Sequence, residues 1–145
     1  MDILRTCEQT IRHCLLRLRP GQDRSAPALH DGARAEALAE RFLLAQGARI
    51  LARNVRFKGG EIDLIALHQQ HLVFVEVRLR QQATAFGGAA GSITAQKQLR
   101  IALAARLWLL RAGRAYAQRP MRFDAIVLDA LQEDAIEWLQ AVFYA

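Results

Sequence analysis

Two carboxylates set in runs that otherwise read as sheet strands carry the first chemical signal in this chain. Asp63 lies in Gly59-Gly60-Glu61-Ile62-Asp63-Leu64-Ile65, and Glu76 in Val73-Phe74-Val75-Glu76-Val77-Arg78. The aliphatic and β-branched residues around them favour strands. Between the two runs, Leu67-His68-Gln69-Gln70-His71 is short and polar enough for a hairpin loop. A turn centred between Gln69 and Gln70 places position 63 opposite position 76, where Cβ atoms stand ~4.5–5.5 Å apart. A register slip of two keeps both acids on one face, and a slip of one separates them. Like charges so placed are destabilising. Two carboxylates forced together on an apolar hairpin require a cation, for which a hard divalent metal is the usual choice.

The elements that must position this pair can be read around it. Asp31 is a plausible N-cap for a helix from about 33 to 46, with Gly47 as its C′ residue. Its apolar face is Ala35, Leu38, Ala39, Phe42 and Leu43, and Glu36 lies at the edge of that face. A strand near Arg49–Val55 precedes the two acidic strands. Phe86-Gly87-Gly88-Ala89-Ala90-Gly91 is a loop, and Ser92 or Thr94 can cap a helix from about 94 to 111 that stops at Gly113. Arg122–Leu128 is a further strand, whereas 136–143 has no firm assignment from pattern alone. The order helix, three strands, helix, strand predicts an α/β fold around one mixed sheet, with a parallel return between the strands near 72–79 and 122–128.

Residues 2–19 form a separate pattern. Ile3, Leu4, Cys7, Ile11, Cys14, Leu15 and Leu18 recur at a/d spacing, which predicts an amphipathic helix for packing or self-pairing. Pro20 to His30 reads as a linker. The organisation expected is therefore an appendage over 1–31 and an α/β domain over 32–145.

At 145 residues one domain is expected, large enough for a core without disulfides or structural metal. Cys7 and Cys14 support neither a zinc site nor a disulfide framework, which agrees with a reducing compartment. No apolar run approaches a membrane span and no secretory h-region is visible, so a cytoplasmic protein is expected. The net charge of +6 suits a polyanionic partner. Because 18 of the 20 basic residues are arginine, genome composition accounts for the bias as readily as nucleic acid does.

Glu36 on a helix, Asp63 on a strand and Glu76-x-Arg78 on the next together resemble the restriction-endonuclease-like nucleases. Their signature is an acid on one strand and (Asp/Glu)-x-Lys on the following one. More closely, the chain is similar to the YraN-like family of bacterial proteins, related in fold to archaeal Holliday-junction resolvases. The motifs that carry the resemblance span about 32–128: Gly32-x-x-x-Glu36, Gln46-Gly47-x-x-Ile50-Leu51-x-x-Asn54, Gly60-Glu61-Ile62-Asp63-Leu64-Ile65, Phe74-Val75-Glu76-Val77-Arg78, Lys97-Gln98 and Arg122-Phe123-Asp124. The resemblance implies a restriction-endonuclease-like core in αβββαβ order and a Mg²⁺- or Mn²⁺-dependent endonuclease acting on DNA, branched or damaged structures among its targets. It also implies a homodimer. Carried over residue by residue, Asp63, Glu76 and the Val77 carbonyl would bind the metal. Glu36 would steady a water or help hold a second ion.

Arg78 departs from the nuclease signature, which has lysine there. Guanidinium stays protonated and cannot act as a base, yet it can grip a phosphate oxygen and stabilise transition-state charge. The only lysines are Lys58 and Lys97, and Lys97 is a candidate for part of the missing lysine's role. Arg53, Arg56, Lys58 and Lys97 are the candidate phosphate contacts. Asp124 is expected to pair with an arginine, and His68 and His71 to lie in a surface loop. The alternative to catalysis is a nucleic-acid-binding or interaction module that retains the nuclease fold.

Overall fold

The computed structural model describes residues 30–80 and 93–145. The amphipathic N-terminal pattern and the glycine-rich stretch 86–91 lie outside them. Helix α1 (Asp31–Ala45) leads into strand β1 (Arg49–Phe57), β2 (Gly60–His68) and β3 (His71–Leu79). Helix α2 (Ala95–Arg111), β4 (Met121–Leu128) and β5 (Ile136–Phe143) follow. The five strands form one sheet in the order β1-β2-β3-β4-β5. All neighbours are antiparallel except β3 and β4, which run parallel across the α2 crossover. This is a mixed sheet flanked by helices, the restriction-endonuclease-like arrangement, with β5 completing the edge.

Helix α1 buries Ala35, Ala39 and Leu43, with Leu38 and Phe42 packed alongside. Its cap differs from the expectation: the His30 ring accepts from the Gly32 N–H at 3.4 Å, so Asp31 is the first helical residue and not the N-cap. An acid in the first turn still faces the positive end of the helix dipole. At the other end Gly47, with φ of 82°, supplies the left-handed residue that stops the helix.

The sheet separates two apolar layers. On one face α1 packs over Leu64, Ala66, Val73, Val75, Ile126 and Leu128. On the other, Ile101, Ala104, Ala105 and Trp108 of α2 pack over Ile62, Ile65, Leu72, Phe74, Phe123 and Ala125. Helix α2 comes so close to the sheet that a Cβ on Gly60 would stand 2.2 Å from the Arg100 carbonyl oxygen. That is a position only glycine can fill without moving the helix.

The β2–β3 turn is centred between Gln69 and Gln70, as expected, but the strands run right up to it. His68 and His71 are the paired last and first residues of their strands, and only Gln69-Gln70 turns the chain, Gln69 with φ of 54°. Neither histidine is a loop residue. The His68 ring stacks edge-on against Trp138 with centroids 4.8 Å apart, and both histidines are partly buried.

Candidate active site

The β2–β3 ladder runs from His68↔His71 through Leu64↔Val75, and continuing it by one rung sets Asp63 against Glu76. At Asp63 the strand alternation slips. Ile62 and Ile65 both reach the α2 layer, as do Ala52 and Val55 on β1, a spacing of three where a regular strand gives two. The β1–β2 pairing runs Arg53↔Leu64 and then Val55↔Ile62, so Asn54 and Asp63 drop out of it together. Asn54 absorbs the distortion with φ of 47°, a conformation asparagine tolerates better than most residues. The slip turns Asp63 toward charges on both sides of the sheet: Glu36 from α1, and Glu76 and Lys97 from β3 and α2.

The electrostatics follow from that placement. The Asp63 carboxyl has its pKa raised from 3.8 to about 7, chiefly by burial and further by repulsion from Glu76 and then Glu36. The Val77 N–H, donating to Asp63 Oδ2 at 2.7 Å, and the Lys97 charge pull the other way.

Glu76 and Asp124 are the buried polar or charged residues among those described, and they are treated oppositely. Asp124 is saturated. It accepts from Arg122 Nε at 2.9 Å, Trp138 Nε1 at 2.9 Å and the Ala141 N–H at 3.0 Å, holding β5 to β4 where Ala141 has φ of 52°. The Arg122 pairing expected from sequence is therefore part of a larger structural anchor. In Glu76, Oε1 meets Lys97 Nζ at 3.2 Å and Arg78 Nη1 at 3.9 Å, while Oε2 is buried without a hydrogen-bond partner. Buried carboxylate oxygens are ordinarily paired or on a metal.

The other residues singled out in the sequence divide by position. Lys97 enters from the first turn of α2, where Thr94 caps the helix by accepting from the Lys97 N–H at 3.2 Å. Its ammonium also lies 3.6 Å from Glu61 Oε1. Arg78 shares the face of Glu76 and its side chain is 39% exposed. Arg53 is clamped in two-pronged fashion by Glu40, its Nε 2.6 Å from Oε2, and shares an open pocket of about 190 Å³ with Glu36 and Asn54. Arg56 is highly exposed, 3.9 Å from Glu61, and Lys58 lies exposed in the β1–β2 turn. Glu61, which the sequence reading passed over, is thus shared by Arg56 and Lys97. Its place beside the Gly59-Gly60 turn was the available signal.

Among the described residues no three His, Cys, Asp or Glu side chains form a ready-made metal cage. What they do offer is a pair of hard oxygen donors, Asp63 and the unpartnered Glu76 Oε2. Such a pair fits Mg²⁺ or Mn²⁺, since Mg²⁺ is usually held by one or two carboxylates and keeps several waters.

Fold and site together define a protein of the restriction-endonuclease-like α/β class. Residues 35–128 match the family model described as "Uncharacterised protein family UPF0102", the YraN-like group. The chain is 51% identical to a UPF0102 protein of Methylobacillus flagellatus over 111 residues, covering 77% of this chain and 94% of that one. It is 48% identical to a UPF0102 protein of Bordetella avium over 133 residues, covering 92% and 88%. The chain belongs to the UPF0102 family. Among the described residues no helix is long and apolar enough to cross a membrane.

Proposed function

We propose that this protein is a metal-dependent nuclease that hydrolyses phosphodiester bonds in DNA, with branched or damaged structures as its targets. The observation that carries the reading is the contrast between its two buried carboxylates. Asp124 has a partner for each oxygen, whereas Glu76 keeps Oε2 unpartnered, across the hairpin from an Asp63 whose pKa is pushed up to about 7. A site that stores like charge and an open acceptor is costly to fold, and such sites cluster where chemistry is done.

Asp63 and Glu76 Oε2 would hold the ion, with the Val77 carbonyl as a further oxygen. When bound there, a divalent metal supplies polarisation of the phosphate and acidification of a water. The remaining work falls to the chain's own groups. The Val77 N–H fixes the Asp63 carboxylate through Oδ2. Arg78 and Lys97 converge on Glu76 from two elements and bring positive charge to where a phosphate oxygen gains negative charge. Lys97 is the candidate for part of the role that the nuclease signature gives to its lysine. Glu36, whose charge is felt at Asp63 from α1, would orient a water on that side. Arg56 and Lys58, both exposed, supply sequence-independent backbone contacts.

The second reading, a binding module without useful catalysis, is favoured by one observation. Arg78 stands where the nuclease signature has lysine, and guanidinium is no base. Incubating the protein with Mn²⁺ and a labelled branched DNA separates the two. Cleavage that Asp63→Asn abolishes supports the nuclease. Binding without cleavage, unchanged in that variant, supports the module.

A further inference from the structure

Lys97 does more than stand near the carboxylates: its ammonium is paired with one of them. Its ammonium has two seats within reach of one position. The seat on Glu76 Oε1, at 3.2 Å, is buried, and the seat on Glu61 Oε1, at 3.6 Å, belongs to a side chain that is 47% exposed. The ammonium touches both carboxylates at once, and with the Lys97 backbone pinned by the Thr94 cap a movement of the four-carbon stem alone takes it off Glu76 while it stays on Glu61. On the far side of the same carboxylate, Glu76 Oε2 is buried and unpartnered, in a residue with only 6% of its surface exposed. One oxygen of Glu76 is therefore held by a cation and the other is open to one.

A divalent ion on Glu76 and an ammonium on the same carboxylate repel each other at close range in a poorly hydrated site. Lysine suits such a position, being a compact charge on a flexible stem with three rotatable donors, whereas the planar guanidinium of Arg78 is built to hold one geometry. We propose, on the basis of the metal-dependent reading above, that Lys97 is a resident counter-cation exchanged for the metal: ion binding at Asp63 and Glu76 drives its ammonium off Glu76, toward Glu61 and the phosphodiester. The displaced ammonium then serves as a phosphate contact, so metal and nucleic acid each improve the binding of the other by one factor, as linkage demands. Glu61 is the positioning residue of this exchange, holding the ammonium at the site once Glu76 is taken.

The test is a calorimetric titration of Mn²⁺ into the full chain as wild type, Lys97→Met, Lys97→Gln and Glu61→Gln, each checked for a cooperative thermal transition. Without nucleic acid, both Lys97 variants bind Mn²⁺ about tenfold more tightly than wild type, within the usual range for coupled sites. The exposed change Glu61→Gln weakens Mn²⁺ binding, because the ammonium has lost its second seat. Adding a branched DNA oligonucleotide tightens Mn²⁺ binding in wild type but not in the Lys97 variants. Folded Lys97 variants that bind Mn²⁺ no more tightly than wild type overturn the exchange. Tighter binding in those variants, with no DNA hydrolysis by wild type, upholds the exchange and overturns the nuclease reading. An absence of Mn²⁺ binding in all four proteins overturns both.

Discussion

The backbone N–H of Val77 donates to Asp63 Oδ2 at 2.7 Å, so the residue that follows Glu76 on β3 holds in place the carboxylate that repels Glu76. One hydrogen bond thus fixes the acidic pair across the hairpin. It does not offset the cost of the pairing, since burial and the two glutamates still leave Asp63 with a pKa of about 7. That cost has measurable consequences.

In the metal-free protein the native state binds the Asp63 proton more tightly than the unfolded state does. Between the unfolded value near 3.8 and the folded value of about 7 the native state therefore carries the extra proton, and stability falls as pH rises through that window. The full loss is at most about 4 kcal/mol, at 1.36 kcal/mol per unit. Asp63→Asn, which mimics the protonated form and keeps an acceptor for the Val77 N–H, should match wild type near pH 4. By pH 8 it should be the more stable by roughly 2–4 kcal/mol. Urea denaturation across pH in the presence of a chelator measures this. A wild type whose stability climbs relative to the variant between those pH values would contradict it.

Arg78→Lys restores a side chain that can lose a proton beside Glu76. Cleavage of branched DNA with Mn²⁺ should rise by about tenfold or more, toward the lower end of general-base effects. A rate unchanged or reduced, with Mn²⁺ affinity preserved, would show that the guanidinium's phosphate grip matters more than a base at this position.

Asp124→Ala removes the acceptor shared by Arg122, Trp138 and the Ala141 N–H. Breaking one partner of a buried ion pair costs about 3–5 kcal/mol. Chemical denaturation should report a loss of that size, while Mn²⁺ affinity of the remaining folded protein stays as in wild type. A change in affinity without a change in stability would reassign Asp124 to the site.

Gly60→Ala forces a Cβ against the Arg100 carbonyl oxygen, three residues along α2 from Lys97. Overpacking of this kind costs about 1–3 kcal/mol. The helix must give way, carrying Lys97 off Glu76, so the substitution should lower both the thermal midpoint and the cleavage rate. Wild-type values for both would mean that α2 does not set the Lys97 position.

The hairpin register was legible because a turn centred between Gln69 and Gln70 permits one pairing, the one the strands adopt. Both described helices were legible from their apolar faces and their glycine stops. Strand β5 was not. Its residues are mostly half-buried on an edge, and Ala141 breaks the alternation where its N–H turns in to Asp124. The slip shared by Asn54 and Asp63 also left no trace, because the ladder offset before and after it is the same and only side-chain direction changes. His68 read as loop because polar residues flank it, yet Trp138, seventy positions away in the chain, gives its ring a packing partner. The seats of Lys97 on Glu76 and Glu61 depend on how α2 docks, which no local spacing encodes.

The measurement that bears most directly on the paired-carboxylate site is a titration of Mn²⁺ into purified wild type and Asp63→Asn, with and without a branched DNA oligonucleotide. Binding by wild type, strengthened by the DNA and lost in a variant that remains folded, is the result expected of a metal-dependent nuclease. No binding by wild type in either condition would contradict it and leave a basic protein with a nuclease's fold.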